Sequence, residues 1–232
     1  MKYPEFEELI SPERMQRYLT ACNYNTQKSM TLYRYNIRLS QELLAVVGCF
    51  EVVLRNKINN HFICQFGNDW LRDLVVPNGK FYSDYRVDKT KKIIHKAYES
   101  LLKTNTYSHN KLLSEMKFGI WKYMFSNIQY ALTNQTLLSI FKNKPLSNKF
   151  YRYDNTYIFK ELDYINNLRN RIAHHEPICF GNGANRTSID TSYALNRYSR
   201  ILILLRWLGV DGNSLLYGLG DVIGICNKIN AL

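Results

Sequence analysis

Residues 169–175 place two arginines, an asparagine and two histidines near the end of a segment with helical periodicity. The planar cation of Arg169 suits a phosphate, because it can bind two oxygens at once. A histidine such as His174 can exchange a proton near neutral pH. Asn170 lies one helical turn before His174, close enough to orient its ring through a hydrogen bond. We therefore predict Arg169, Asn170 and His174 as catalytic residues.

The chemistry that fits these groups is RNA cleavage by the 2′-hydroxyl of the RNA itself. The reaction needs a base for the 2′-hydroxyl proton, positive charge at the phosphate, and an acid for the departing 5′-oxygen. Histidine suits the first and third roles, and arginine suits the second. The products are a 2′,3′-cyclic phosphate and a 5′-hydroxyl. We predict no cofactor and no metal.

The helix predicted over residues 156–175 has one apolar and one polar face. Asp163 and Asn167 share the polar face with Asn170 and His174, and we predict them as supporting residues. Arg169 precedes His174 by five positions, so their directions differ by about 140°. Either two copies meet across a twofold axis and form one site, or the helix loosens before Pro177. We prefer the homodimer. The predicted apolar face consists of Ile158, Leu162, Ile165, Leu168 and Ile172.

Other interpretations of these residues compete with catalysis. A single Arg-x4-His pattern arises by chance in many helices. His174, His175 and Glu176 could form a metal cluster, but adjacent histidines point about 100° apart on a helix. His175 and Arg171 suit packing, solvation or RNA contact, and we predict them as RNA-binding.

A similar pattern occurs earlier, where Arg55 and Asn56 precede His61. Its spacing is one residue longer. Glu51 stands four residues before Arg55, so an ordinary ion pair explains that arginine. We predict Arg55, Asn56 and His61 as structural or supporting residues.

The net charge of +12 is concentrated in the middle of the chain. Residues 80–160 contain 15 Lys or Arg against five acids, together with aromatic residues that include Phe81, Tyr82, Tyr85, Tyr98, Tyr107, Trp121, Tyr123, Tyr151 and Tyr153. Basic side chains bind phosphates by releasing counterions, and aromatic rings stack on unpaired bases. We predict RNA as the partner, with Lys89, Lys91 and Lys92 in contact with it. The alternatives are lysines that only solvate helices, or DNA or acidic lipid as the partner.

The sequence predicts an all-α protein, because prolines are few and 3–4 residue spacing recurs without alternating segments. Ser11 and Pro12 are typical of a helix start. Turns are predicted at 67–69 and 77–79, and loops at 148–155 and 181–185. We predict helices over residues 12–22, 26–66, 85–103, 110–126, 133–142, 156–175, 191–208 and 214–229.

Length and composition favour a single domain over residues 1–232. It has a helical part at 1–76, a basic middle at 80–150 and a motif-bearing part at 155–232. Five widely spaced cysteines are typical of reduced thiols rather than of a disulfide framework. The N-terminus does not resemble a signal peptide, and the longest apolar runs are too short to span a bilayer. We predict a cytoplasmic protein without a membrane partner.

Residues 168–178 closely resemble the signature of bacterial Abi-like (abortive infection, AbiD/AbiF-type) proteins, which are placed in the HEPN superfamily. Residues 11–14, 18–19, 32–36, 51–56 and 118–121 are similar to that family's pattern in the same order, so the resemblance covers about residues 10–210. It implies an all-α HEPN fold with additional helices, usually dimeric and linked to phage defence. By residue, it implies the roles of the family's arginine, following polar residue and histidine for Arg169, Asn170 and His174.

The hypothesis from the sequence is a dimeric, metal-independent endoribonuclease that arrests growth in abortive infection. A regulatory RNA or an antitoxin would hold it in check. The main alternative is a non-catalytic RNA-binding HEPN module in a ribonucleoprotein or toxin–antitoxin complex. A third is a nucleotide-binding or nucleotidyl-transferring partner protein.

Overall fold

The computed structural model describes residues 1–181 and 187–232. This part of the chain is all-α, as predicted, and contains no β-strand. Most of the predicted loop at 181–185 lies outside the described residues. Two short 3-10 helices span Tyr85–Val87 and Leu137–Ile140. The α-helices of the described chain are α1 (Tyr3–Ile10), α2 (Pro12–Ala21), α3 (Thr26–Phe66), α4 (Trp70–Asp73), α5 (Asp88–Lys103), α6 (His109–Ser114), α7 (Phe118–Tyr123), α8 (Asn127–Leu132), α9 (Asn155–Ala173), α10 (Ser192–Trp207), α11 (Gly212–Leu215) and α12 (Val222–Asn230).

The chain forms two compact units, each assembled from segments that are distant in sequence. The first consists of Met1–Cys49, Asn167–Ile203 and Gly212–Leu232, and the second of Phe50–Asn166 and Leu204–Asp211. Residues 169–175 belong to the first unit, and the basic stretch belongs to the second. The three parts expected from the sequence do not follow these boundaries, and the single-domain assignment stays a prediction.

Helix α3 has the bounds that the sequence predicts. It runs for 41 residues and ends at Phe66, before Gly67, which has a φ of 94°. Gly67 donates its backbone N–H to Ile63 O at 2.9 Å and closes the helix in a left-handed conformation that glycine adopts without strain. The predicted apolar stripe is confirmed as buried, and it consists of Leu43, Val47, Phe50, Leu54, Ile58 and Phe62.

Two ring contacts and two hydrogen bonds connect distant segments of the first unit. The ring of Tyr18 packs on those of Tyr33 and Phe180, with centroids 5.2 Å apart in both pairs. Glu42 Oε2 accepts the backbone N–H groups of Gly220 and Asp221, both at 3.1 Å. These contacts attach α2, the segment after α9 and the start of α12 to the N-terminal half of α3.

Two helix predictions in the second unit are wrong. The helix expected over 110–126 is divided into α6 and α7, because its apolar residues would occupy most of the circumference of one straight helix. The helix expected over 133–142 is replaced by the 3-10 helix Leu137–Ile140, and α8 ends just before this range at Leu132. Asn134 and Gln135 have φ of 65° and 58°, a left-handed conformation that stops a helix. Ser126 caps α8 by accepting the N–H of Gln129 at 3.4 Å.

The last predicted helix, over 214–229, is also wrong as a single element. The structure has α11 and α12, separated by Gly218 and Gly220 with φ of 74° and 79°. Asp221 then accepts the N–H of Gly224 at 3.1 Å and begins α12. The two glycines supply the left-handed backbone that turns the chain between the helices.

Candidate functional site

Helix α9 carries the predicted motif, and one face of this helix is packed into the core. All five residues of its predicted apolar face, from Ile158 to Ile172, are buried, so this face is confirmed. Asp154 begins the helix by accepting the N–H of Tyr157 at 3.0 Å. On the C-terminal turns Arg169 and Asn170 are half-buried and His174 is exposed. The motif therefore lies at the surface of a helix whose other side is fixed in the core.

The helix ends in a Schellman turn, which places His174 at the C-cap. Glu176 N donates to Arg171 O at 2.8 Å, and His175 N donates to Ile172 O at 3.0 Å. His175 has a φ of 54°, in the left-handed region that this turn requires. The predicted end of the helix at 175 is thus close to the observed end at Ala173. His174 projects from the last closed turn rather than from regular helix.

Two side chains from distant segments hold this turn. Arg14 Nη1 donates to His175 O at 3.1 Å. Asn36 is buried and its Oδ1 accepts the N–H of Ile178 at 2.9 Å. A buried backbone N–H without a partner costs about 1–3 kcal/mol. These contacts give Arg14 and Asn36 a structural role beside the motif. The spacing of the motif residues alone does not predict that role.

A groove of about 410 Å³ opens beside the motif in the first unit. Arg169, Ile172, Ala173 and His175 line it, and His174 is not among its lining residues. This groove therefore does not contain both Arg169 and His174 of one motif, which agrees with their angular separation along the helix. The N-terminal half of α3 supplies the opposite wall through Asn36, Ile37, Ser40, Gln41 and Leu44.

The three predicted catalytic side chains make no hydrogen bond or ion pair with any other residue that the structure describes. The expected side-chain bond between Asn170 and His174 is not formed. Instead the backbone joins them, because His174 N donates to Asn170 O at 2.9 Å. Arg169 is thus a half-buried cation at the wall of a groove without an anion of its own.

Arg171, which we predict as an RNA contact, has several partners within the protein. Its Nη2 donates to Pro177 O at 2.6 Å, and its Nε lies 3.3 Å from Glu176 Oε2. Its guanidinium also covers the ring of Tyr193, 4.6 Å from the centroid. These contacts clamp the turn after α9, and an RNA contact by Arg171 stays a prediction.

A family model described as Abi-like protein matches residues 3–179. This chain belongs to that family. No curated protein and no solved structure gives a significant match. The matched region begins before the resemblance seen in the sequence and ends earlier, so α10, α11 and α12 lie beyond it. It includes the whole of α9 and the turn that Arg14 and Asn36 hold.

The second Arg-Asn pattern of this Abi-like protein is built into the second unit. His61 Nε2 lies 2.9 Å from Thr136 Oγ1, and its Nδ1 lies 3.4 Å from Ser139 Oγ. Burial lowers the pKa of His61 and so favours the neutral form of the ring. Arg55 Nε donates to Asn56 Oδ1 at 3.4 Å. These contacts favour the structural role that the longer spacing indicates.

Asp163 and Asn167 lie on α9 of the Abi-like protein but in different units. Asp163 Oδ1 accepts a hydrogen bond from Lys122 Nζ at 2.7 Å, and Lys122 is buried. Removing the carboxylate would leave a buried ammonium without this partner. The ion pair gives Asp163 a structural role in the second unit, while the supporting role of Asn167 stays a prediction.

The predicted RNA-binding lysines all lie on α5, but they are not equivalent. Lys91 Nζ donates to Tyr82 O at 3.1 Å and pairs with Asp88 at 3.1 Å. Lys92 pairs with the same carboxylate at 2.5 Å. Hydrogen bonds from Lys92 and then Lys91 lower the pKa of Asp88. Lys89 is exposed and has no such partner in the described chain.

Three further features concern metals, membranes and cysteines. Within residues 1–181 and 187–232, no three His, Cys, Asp or Glu side chains are grouped closely enough to hold a metal ion. None of the helices in those ranges has the length and apolar character needed to span a bilayer. All five cysteines are free thiols.

Proposed function

We propose that this Abi-like protein is a HEPN-type, metal-independent endoribonuclease that arrests growth in abortive infection. The family itself is associated with abortive infection. The observation that carries the nuclease proposal is the half-buried Arg169, which lines a groove without an internal anion. A scissile phosphate would supply the missing negative charge.

In this mechanism Arg169 binds the nonbridging oxygens of the phosphate and stabilises the charge that develops there. His174 moves a proton, either from the 2′-hydroxyl or to the departing 5′-oxygen. The 2′-oxygen bonds to phosphorus as the bond to the 5′-oxygen breaks, which leaves a 2′,3′-cyclic phosphate and a 5′-hydroxyl. Asn170, half-buried beside them, orients the reacting groups.

The site we propose is composite. Arg169 lines the groove and His174 does not, so this groove of one copy does not contain both groups. Two copies related by a twofold axis would bring the residue 169–175 segments of both together and supply each missing group.

Incubation with total cellular RNA tests the proposed reaction. We expect cleavage in the presence of EDTA, because Arg169 supplies the positive charge at the phosphate. Mapping the ends should give 5′-hydroxyl and 2′,3′-cyclic phosphate groups. Activity that disappears on chelation and returns with Mg²⁺ or Zn²⁺ would contradict the mechanism. Stable RNA binding without any cleavage would favour the non-catalytic RNA-binding module.

The basic stretch should govern affinity for RNA. If the protein contacts about six phosphates, a rise in salt from about 50 to 200 mM should weaken RNA binding on the order of 10³-fold. Lys89→Glu is the cleanest variant, since Lys91 and Lys92 also hold Asp88. We expect it to reduce the affinity and the salt slope in a filter-binding titration.

Lys228→Glu is the matched control for this variant. Lys228 is exposed on α12, outside the basic stretch, so its reversal changes the net charge equally. Equal losses of affinity in the two variants would mean that only total charge matters. No loss in Lys89→Glu would place the RNA contact away from α5.

A further inference from the structure

The groove beside Arg169 has a composition that suits a nucleotide. Among the described residues that line it, Arg169 and His175 are the only ionisable ones, and none is a carboxylate. Arg169 makes no ion pair with a described residue, so the groove favours an anion. The remaining lining residues are either apolar (Ile37, Leu44, Ile172 and Ala173) or neutral and polar (Asn36, Ser40 and Gln41).

The volume of the groove and its exposed apolar wall also suit a nucleotide. The volume of about 410 Å³ lies within the range of roughly 300–1,000 Å³ that is typical of small-ligand pockets. Leu44 is 47% exposed although it is a large apolar residue, so the wall contains apolar surface that the fold leaves uncovered. A nucleobase has two apolar faces and a polar edge. The phosphate of the nucleotide carries the negative charge that would pair with Arg169.

The three polar residues of the groove differ in what they can still bind. Ser40 Oγ donates to Asn36 O at 2.9 Å, so its hydroxyl proton is already used. Asn36 Oδ1 is occupied by Ile178 N. Gln41 is exposed and makes no hydrogen bond with a described residue, so its amide offers both a donor and an acceptor. Of the three, Gln41 is best able to distinguish one base edge from another.

We infer that this groove is a nucleobase subsite, in which one unpaired base of the RNA lies against Ile37, Leu44 and Ile172 and is recognised by Gln41. The inference rests on the proposed RNA substrate, and it adds a source of sequence preference next to the scissile phosphate. Charge favours RNA over protein inside the groove, because the groove contains an unpaired cation and the chain carries a net charge of +12. In the proposed homodimer the second copy therefore flanks the bound RNA and does not fill the groove.

Binding of 2′-O-methyl hexamers of A, C or U tests the subsite, because these probes lack the attacking hydroxyl and cannot be cut. Fluorescence anisotropy with the full-length protein should show a preference among the bases. One hydrogen bond of about 1 kcal/mol corresponds to roughly fivefold in affinity. We expect Gln41→Ala to remove that preference and Ala173→Phe, which fills the groove, to weaken binding of all three probes.

Gln27→Ala provides the matched control, since Gln27 is an exposed glutamine on the same helix that does not line the groove. It should keep the wild-type preference. Equal binding of the three probes by the wild-type protein, or unchanged binding by both Gln41→Ala and Ala173→Phe, would overturn the subsite. If Ala173→Phe instead dissociates a dimer in light scattering without affecting the probes, the groove is an interface between copies.

The two proposals fail in different ways. Cleavage of ordinary RNA without base preference in the binding assay would overturn the subsite and leave the nuclease standing. The expected binding pattern without cleavage of ordinary RNA would overturn the nuclease and support the subsite. No binding of any hexamer would overturn the subsite, whatever the cleavage result.

Discussion

Replacing His174 with alanine should abolish RNA cleavage and growth arrest in a protein that still folds. Loss of a general acid or base typically lowers the rate by about 10²–10⁴. His174 is exposed at the C-cap of α9, while the core contacts of the helix come from buried residues such as Leu168 and Ile172. The stability change should therefore be well below the ~2–5 kcal/mol of a buried large-to-small substitution.

Rates of RNA cleavage, thermal unfolding and RNA binding should be measured together on this variant. His95→Ala, measured at saturating RNA, is the control, because His95 is an exposed histidine on α5, outside residues 169–175. It should cleave like the wild type. A folded His174→Ala protein that still cuts RNA or arrests growth at the wild-type rate would remove His174 from the mechanism.

The long periodic elements were predictable because a single physical pattern determines each of them. Helix α3 and the buried face of α9 follow directly from apolar residues spaced at three and four positions. The same rule failed over residues 110–142, where apolar residues occur on all sides and short helices must turn to bury them. The Ser126 cap, with Gln129 three residues later, was a local signal that could have located α8.

The sequence predicts which residue types form the site, but it does not predict which distant residues hold them in place. Spacing places Arg169 and His174 on α9, but it cannot show that Arg14 binds His175 O or that Asn36 binds Ile178 N. These contacts join residues more than 140 positions apart in sequence. Likewise, the composition of the basic stretch does not distinguish Lys89 from Lys91 and Lys92, because the difference depends on the position of Asp88 and Tyr82.

Replacing Arg169 with methionine should reduce cleavage by about 10²–10³, the usual effect of removing one group that stabilises the transition-state charge. Methionine keeps an unbranched apolar stem at this half-buried position, and no described residue loses an ion pair, so folding should be preserved. Arg169→Lys keeps the charge but loses the planar fork that binds two phosphate oxygens. We expect its rate to lie between those of the methionine variant and the wild type.

Mixing the two inactive proteins tests the composite site directly. A dimer that contains one Arg169→Met copy and one His174→Ala copy retains one intact Arg169 and one intact His174. If both motifs surround one cleft, exchange of copies after mild denaturation and refolding should restore part of the activity, and neither variant refolded alone should regain it. Demonstrated heterodimers that remain inactive would contradict a site completed by two copies. Wild-type activity in folded Arg169→Met would show that the unpaired cation of the groove has no part in the reaction.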